Sequence, residues 1–353
     1  MPDPILLFEE KVDPKYLQEQ LDKEKRMKTS SEVRLALESA VVGQPQAIEA
    51  VIPFVQLWNV QLSPEGRPVG IIMLLGPTGT GKTHLVESLA LALHGNAKTM
   101  LKVDCGEYQA DHEIAKLVGA PPGYLGHRET TPVFAQKNLN AACSDGCGMQ
   151  IVLFDEIEKA APSMTRLMLS ILDKATLKLG DGTSVSFENS LIFMTSNLGA
   201  SAMQKSSRPD FGLEAFSAIE ISIGSKKLQS IGHMAVRKKF SPEFINRIDS
   251  VITYNTLTRE GCEKIFLQIA DKFSKTIKQR LGLRSFKIII TPQAKDEILK
   301  QGVSVEYGAR ELRRVFQRTV VLPLAKLIED NYIPPQGTCI VDFDEEFDII
   351  IKP

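Results

Sequence analysis

Residues Gly76–Thr83 read GPTGTGKT and fit the pattern G-x-x-x-x-G-K-[ST]. Glycines in this pattern let backbone N–H groups wrap a phosphate, and its lysine reaches the outer phosphates of a nucleotide. Here the pattern follows an apolar run, Gly70–Leu75, and opens a helix-forming run, Thr83–His94. We therefore predict a phosphate-binding loop at a helix N-terminus, rather than a glycine-rich turn without a ligand. The predicted binding residues are Gly76, Pro77, Thr78, Gly79, Thr80, Gly81, Lys82 and Thr83.

Short apolar runs on either side of this loop indicate the fold class. They are apolar on both faces, and helical patterns separate them, which is typical of a parallel sheet covered on both sides. We therefore predict an α/β fold with a parallel sheet flanked by helices. The four runs are Gly70–Leu75, Thr99–Val103, Gln150–Phe154 and Ser190–Met194.

Polar side chains follow two of these predicted strands. Asp155 and Glu156 come directly after the third strand, and Asn197 follows the fourth. Asp155, together with the Thr83 hydroxyl, is predicted to hold Mg²⁺, and Glu156 to polarise an attacking water. Asn197 would orient that water if its strand neighbours the other two. The alternatives are a solvated strand end for the carboxylates and a turn-forming role for Asn197.

Two arginines have open assignments from the sequence. Ser241-Pro242 is a helix start, and Arg247 follows it by one and a half turns. Arg247 either pairs with Asp249 or Glu243, or acts as an arginine finger in phosphoryl transfer. Arg310 follows a chain-breaking glycine, so it either reaches the nucleotide from a second unit or begins a solvated helix.

The rest of the chain is predicted to form a charged N-terminal extension, a large domain and a small one. Residues 1–40 are highly charged and are expected to be helical, 41–250 form the nucleotide-binding domain, and 251–353 form the small domain. The segment Leu198–Lys239 is rich in Ser, Gly and Lys, and is predicted to be loop with short helices. The predicted elements of the small domain are a helix at Arg259–Leu281 and strands at Phe286–Ile290, Thr338–Phe343 and Phe347–Ile351.

Composition narrows the class of protein. The chain has 353 residues, with 42 Lys and Arg against 43 Asp and Glu, so it lacks the basic excess of a nucleic-acid binder. Its longest apolar runs are too short to span a bilayer, and its N-terminus does not read as a secretory signal. Five dispersed cysteines fit reduced thiols in the cytoplasm, and Cys143-x₃-Cys147 lacks the second pair that a zinc site needs.

Together these pieces resemble the Clp-type AAA+ ATPases, and among them the second ATPase module of ClpB-like disaggregases. The resemblance covers about residues 41–353 and implies an AAA+ P-loop NTPase fold with a smaller C-terminal α/β lid. The motifs that carry it, in order, are GPTGTGKT, VDCGEYQADHEIAKLVGAPPGYLGH, LFDEIEKAAP, MTSNLGA, FSPEFINRID and YGAREL.

The resemblance also implies residue roles. ATP and Mg²⁺ would be the ligands, with Val41 and Val42 lining the adenine. Asn197 would be the first sensor, Arg247 the finger acting on a neighbouring subunit, and Arg310 the second sensor. The pore loop Gly123–Gly126 would grip an extended polypeptide through Tyr124 and Leu125 in a hexameric ring. A second loop, Leu179–Gly182, would face the same channel.

The sequence departs from the family at two places. His127–Pro132 stands where family members usually carry Glu-Gly-Gly, so the grip on substrate or the motion of the pore loop is expected to differ. Asn138–Gly148 is longer than the family segment. Because the sequence has one phosphate loop, we expect a single ATPase module. Residues 1–40 are then the only expected place for an adaptor to bind.

The expected function is that of an ATP-dependent protein unfoldase that threads polypeptide through a ring. One alternative is a regulatory ATPase that feeds a Clp-type peptidase through Phe211-Gly212-Leu213. A nucleic-acid motor is disfavoured by the pore motif and the near-zero net charge. A binding module with an inactive site is disfavoured because every catalytic position is intact.

Overall fold

The structure is a computed structural model. It describes residues 27–119, 132–207, 218–302 and 308–352, and at 204–207 and 218–226 the backbone alone is described. Most of the predicted charged extension, the pore loop with Tyr124 and Leu125, and Phe211-Gly212-Leu213 lie outside the described residues.

The larger unit is built on a parallel sheet whose described strands run in the order β2-β3-β6-β1-β7. The four predicted strands are present, each within two residues of its predicted bounds. The strands of the larger unit are β1 (Gly70–Leu75), β2 (Leu101–Asp104), β3 (Gln150–Asp155), the hairpin β4 (Thr176–Lys178) and β5 (Ser184–Ser186), β6 (Ser190–Ser196) and β7 (Ser250–Thr253).

Helices cover both faces of this sheet, which explains why its central strands are apolar at consecutive positions. Ile71 and Met73 of β1 point into one core cluster, and Ile72 and Leu74 into the other. The helices of this unit are α1 (Ser30–Ala40), α2 (Pro45–Asn59), α3 (Lys82–His94), α4 (Ala115–Val118), α5 (Gln136–Asn140), α6 (Pro162–Lys174), α7 (Ala200–Ser207), α8 (Ala218–Lys239) and α9 (Pro242–Ile245).

The prediction of a loop with short helices at Leu198–Lys239 is wrong for its second half. There α8 runs for 22 residues and packs on the sheet. One of the glycines of α8, Gly232, lies where a Cβ atom would be 2.9 Å from the Thr253 hydroxyl oxygen. The missing side chain therefore allows a close approach of helix and sheet.

The strand β7 was not predicted. It pairs with β1 through Ile72–Leu75, so it belongs to the large sheet although the small domain was placed from residue 251. We therefore propose that the boundary between the two domains falls after Thr253.

The smaller unit, called the lid below, has its own sheet and core. Its strands run in the order β10-β9-β8, with β8 parallel and β10 antiparallel to β9. Phe266, Phe316 and Ile298 are among the side chains buried between this sheet and the helices. The elements are α10 (Arg259–Leu281), β8 (Lys287–Ile290), α11 (Pro292–Gly302), α12 (Ala309–Phe316), α13 (Leu322–Glu329), β9 (Thr338–Phe343) and β10 (Phe347–Lys352).

Within the described ranges, no helix is both long enough and apolar enough to cross a membrane.

Candidate functional site: a cleft between the large unit and the lid

The predicted phosphate loop connects β1 to α3, as the sequence required. Gly76 has φ +144°, and a Cβ atom there would lie 2.9 Å from Cβ of Tyr254, so only glycine fits. The loop surrounds the N-terminus of α3, whose free backbone N–H groups favour an anion. This arrangement is suited to phosphate.

Lys82 is buried inside the loop. Its Nζ donates hydrogen bonds to the carbonyl oxygens of Gly76 (2.7 Å) and Pro77 (2.9 Å) and to Oδ1 of Asn197 (3.0 Å). Burial lowers the pKa of Lys82 to about 8, against the attraction of nearby carboxylates, of which Glu158 is the strongest. The lysine charge is therefore fixed against the loop and Asn197.

Asp155 lies at the carboxyl end of β3 and accepts hydrogen bonds on both oxygens. Its Oδ1 accepts from the hydroxyls of Thr83 (3.2 Å) and Thr195, and its Oδ2 lies 2.8 Å from Nζ of Lys102. Burial acts to raise the pKa of Asp155, but Lys102 and the two hydroxyls together lower it, so the carboxylate is ionised. An ionised carboxylate beside a threonine hydroxyl is a donor set that fits Mg²⁺.

Glu156 occupies the left-handed region of backbone conformation, with φ +56° and ψ +48°. Such a conformation costs about 1–3 kcal/mol in a residue with a Cβ atom, and residues of this kind cluster at functional sites. The Thr195 hydroxyl accepts the Glu156 N–H at 3.0 Å. The Glu156 carboxylate accepts from Nδ2 of Asn197 (3.2 Å) and pairs with Lys159. Glu156 and Asn197, predicted from separate strands, are thus in direct contact.

Glu158 supports the same group, and sequence reasoning missed its role. Its Oε1 accepts the backbone N–H of Asn197 at 3.1 Å, while the side chain of Asn197 is held between Lys82 and Glu156. The position of Glu158 within DEIEK was the available signal. Its contact with Asn197, 39 residues away, depends on the pairing of β3 with β6.

The far end of the cleft is apolar. Val41 and Val42, predicted to line an adenine, border it together with Leu257 and Ile265 of the lid side. The whole cavity measures about 310 Å³. Its lining residues are Ala40, Val41, Val42, Thr78, Gly79, Thr80, Gly81, Lys82, Thr83, His84, Glu87, Lys102, Asp155, Glu156, Thr195, Asn197, Leu257, Ile265, Gln268, Ala309, Arg310 and Arg313.

The lid docks directly on the phosphate loop. The N–H of Ala309 donates to the carbonyl oxygen of Gly79 at 3.1 Å. Gly308 has φ +52°, and a Cβ atom there would lie 2.8 Å from the same oxygen. This contact begins α12, which brings Arg310 and Arg313 to the cleft wall. Arg310 was predicted to reach the nucleotide, whereas Arg313 was missed because it reads as one more cation in a basic helix.

Arg247 does not line the cleft of its own chain. Its Nε lies 2.9 Å from Oδ1 of Asp173, near the end of α6. This ion-pair partner is neither Asp249 nor Glu243, the two considered from the sequence. Asp249, one of those two, instead accepts the backbone N–H of Ile71 at 2.8 Å and pairs with Arg67. The side chain of Arg247 is 33% exposed.

The second predicted channel loop is the turn of the β4–β5 hairpin. There the N–H of Gly180 donates to the carbonyl oxygen of Val118 at 2.8 Å. Val118 ends α4, one residue before Gly119 and the undescribed pore loop. The second predicted loop is therefore bonded to the end of α4, close to the last described residue before Gly123–Gly126.

Two family descriptions match the chain. The AAA domain (Cdc48 subfamily) matches residues 67–251, and the C-terminal, D2-small domain of ClpB protein matches residues 262–341. These matches confirm the predicted resemblance and the fold class, with a large AAA+ unit followed by a smaller C-terminal one.

Curated relatives and solved structures agree with this match. The ATP-dependent Clp protease ATP-binding subunit ClpC of Staphylococcus aureus (strain USA300) is 35% identical over 307 residues, which are 86% of this chain and 36% of the relative. Chaperone protein ClpB of Mycoplasma pneumoniae is 34% identical over 312 residues, 88% of this chain and 39% of the relative. The chain thus spans little more than a third of the length of these relatives.

Among solved structures, a closed-state Hsp104 reconstruction with ATPγS and FITC casein aligns with TM-score 0.72 at 30% identity. That alignment covers 96% of this chain and 53% of the other. The extended S. cerevisiae Hsp104:casein complex aligns with TM-score 0.75 at 31% identity, covering 91% and 52%.

Proposed function

Because the chain belongs to the AAA domain family (Cdc48 subfamily), we propose that it binds ATP with Mg²⁺ in the cleft and hydrolyses it to remodel polypeptides. One observation carries the proposal. Lys82 and Thr83 at the start of α3 and Asp155, Glu156 and Asn197 at the ends of β3 and β6 form one hydrogen-bonded group, which the Thr195 hydroxyl completes. A group of this kind is what phosphoryl transfer to water requires.

Nucleotide binding would use both walls of the cleft. The adenine would lie against Val41 and Val42, and the phosphates would lie in the loop Gly76–Thr83. Arg310 would add a positive charge from the lid. Mg²⁺, held by Thr83 and Asp155, would neutralise phosphate charge when bound.

Hydrolysis would depend on Glu156. A carboxylate within hydrogen-bond reach of a water polarises it as a general base, which contributes roughly 10²–10⁴ in rate. Asn197 and the Thr195 hydroxyl hold Glu156 in its left-handed conformation, and Lys159 pairs with its Oε2. These residues would fix the direction of the carboxylate before the nucleotide arrives.

We propose that Arg247 acts on the nucleotide of a neighbouring subunit in a ring, most simply a hexamer. It lies outside the cleft of its own chain and is partly exposed, which supports action across an interface. Asp173 would hold it until a neighbour docks. An arginine supplied in this way is worth roughly 10³–10⁵ in rate.

The proposed substrate is an extended polypeptide, gripped by Tyr124 and Leu125. The Hsp104 structures that resemble this chain contain casein, and the identity to them is 30–31%. The five free cysteines of the chain further support a reducing, cytoplasmic setting.

The test is ATP hydrolysis with and without unfolded casein, compared among the wild type and the variants Glu156→Gln and Tyr124→Ala. We expect the wild type to hydrolyse ATP and unfold a tagged substrate. Glu156→Gln should bind ATP without hydrolysing it, and Tyr124→Ala should hydrolyse ATP without unfolding. A Tyr124→Ala variant that unfolds the substrate at the wild-type rate would remove the pore assignment.

A second candidate is the supply of unfolded protein to a Clp-type peptidase. It is favoured by the identity to ClpC, which is named as the ATP-binding subunit of a Clp protease. Docking would use Phe211-Gly212-Leu213. Co-purification with such a peptidase, lost in a Phe211→Ala/Leu213→Ala variant that retains ATP hydrolysis, would establish it.

A further inference from the structure

Lys102 of β2 is a charged residue at the cleft that the proposed mechanism does not use. Its Nζ lies 2.8 Å from Oδ2 of Asp155, the oxygen that faces away from Thr83 and Thr195. Asp155 is the carboxylate proposed to hold Mg²⁺. The protein therefore places one of its own cations on the carboxylate that a metal ion would have to approach.

Lys102 is not enclosed by the protein at this position. Its side chain is 43% exposed and borders the cleft, whereas that of Asp155 is 18% exposed. A second carboxylate, Glu87, borders the same cleft, and Lys102 is among the groups that lower its pKa, after the hydrogen bond from His84. The ammonium group of Lys102 could therefore also interact with Glu87 or with the phosphates of a bound nucleotide.

We propose that Lys102 is a positioning residue that neutralises Asp155 in the metal-free cleft and opposes Mg²⁺ there, so that it sets how strongly nucleotide and metal depend on each other. The proposal rests on the proposed function, since it requires a metal at Asp155. Two cations at one carboxylate repel each other, while an unneutralised Asp155 repels phosphate. Removing the lysine charge should therefore strengthen metal binding and weaken metal-free nucleotide binding.

The experiment measures the dissociation constant of a fluorescent ADP analogue, without metal and at saturating Mg²⁺, on the full chain. The constant without metal divided by the constant at saturating Mg²⁺ measures the coupling between metal and nucleotide. We expect Lys102→Met to raise this ratio roughly tenfold, as removal of a unit charge beside a divalent ion implies. Lys102→Arg keeps the charge and should keep the wild-type ratio.

Two further variants separate the possible failures. Lys98→Met removes an exposed lysine from the loop before β2 and should leave the ratio unchanged. Asp155→Asn should lower the ratio, which shows that the titration reports on this carboxylate. If Asp155→Asn gives the wild-type ratio of dissociation constants, the metal assignment of the proposed function fails and the Lys102 proposal fails with it.

If Asp155→Asn lowers the ratio but Lys102→Met leaves it unchanged, the proposed function stands and the role of Lys102 is wrong. A purely structural role would weaken ADP binding equally with and without Mg²⁺, so the ratio would again not move. A lower ratio in Lys102→Met would show that the lysine assists the metal, which also overturns the proposal.

Discussion

The two sheets of the molecule bury their strands differently. Every residue of β1 and β6 in the large sheet is buried, whereas β10 in the lid alternates between half-buried and exposed residues. A strand covered by helices on both faces carries a near-continuous apolar run, and a strand covered on one face alternates. The phosphate loop follows β1 of the large sheet, whereas Arg310 lies on α12 of the lid.

This difference extends to the two walls of the cleft. On the large-unit wall, hydrogen bonds join Lys82 to Asn197 and Asn197 to Glu156, and the Thr195 hydroxyl links Glu156 to Asp155. The lid wall is placed by the backbone contact of Ala309 with Gly79. We infer that the large unit fixes the chemistry, while the lid adjusts how tightly the nucleotide is held.

The largest expected effect tests this division directly. Glu156→Gln should lower the rate of ATP hydrolysis roughly 10²–10⁴-fold, because it removes the general base, and should leave ATP affinity nearly unchanged. Arg310→Ala in the lid should instead weaken ATP binding by about 2 kcal/mol, the worth of a hydrogen bond to a charged group. Phosphate release and equilibrium binding measure the two effects. Equal loss of affinity in both variants would contradict the division.

The difference in burial predicts different costs for the same substitution. Ile192→Ala in the middle of β6 should lower the free energy of unfolding by about 2–5 kcal/mol, because Ile192 is fully buried. Ile350→Ala on β10 should change it by less than about 1 kcal/mol, since that side chain is 42% exposed.

Urea unfolding measures both substitutions. Trp58, the single tryptophan, is partly buried against the core of the large unit and reports on it by fluorescence, while circular dichroism reports on the whole chain. If Ile192→Ala does not fold, Ile192→Val should still cost about 1 kcal/mol. Similar costs at Ile192 and Ile350 would mean that the lid sheet is covered in solution.

The sequence was sufficient for the parts of the fold in which local pattern and burial agree. The apolar runs at β1, β3 and β6 predicted the parallel sheet, and the loop Gly76–Thr83 placed the cleft. The sequence was not sufficient to predict α8 as a helix. Its Gly232 disfavours a helix locally, but the close packing of that position against Thr253 leaves no room for a side chain. No strand was predicted at β7, where only Val251 and Ile252 are apolar.

Site residues divide in the same way. That Asp155, Glu156 and Asn197 lie together could be expected, because each stands at or just after the end of an apolar strand. The contacts of Lys102 and Glu158 could not be expected, since they depend on β2 and β6 lying on either side of β3. The partner of Arg247 is likewise a matter of tertiary structure, as Asp173 lies on α6, far away in sequence.

A smaller effect is expected at the contact between the two walls. Gly308→Ala would place a Cβ atom 2.8 Å from the carbonyl oxygen of Gly79 and move the lid away from the loop. We expect ADP binding to weaken by about 1–3 kcal/mol. Gly282→Ala is the matched control, because its φ is also positive (+54°) but no atom lies within 4 Å. Equal effects of the two variants on affinity would show that backbone strain, and not lid contact, is responsible.

Replacing one helix-capping threonine in each unit is expected to have a small effect and tests whether the two units unfold separately. Thr29 caps α1 in the large unit, where its hydroxyl accepts the Glu32 N–H at 3.2 Å, and Thr258 caps α10 in the lid, accepting the Gly261 N–H at 3.1 Å. Replacing either threonine with alanine should cost about 1 kcal/mol. If the units are independent, Thr29→Ala shifts the unfolding midpoint seen by Trp58, and Thr258→Ala shifts the circular dichroism while Trp58 is unaffected. If both variants move both signals equally, the lid and the large unit unfold as one cooperative unit.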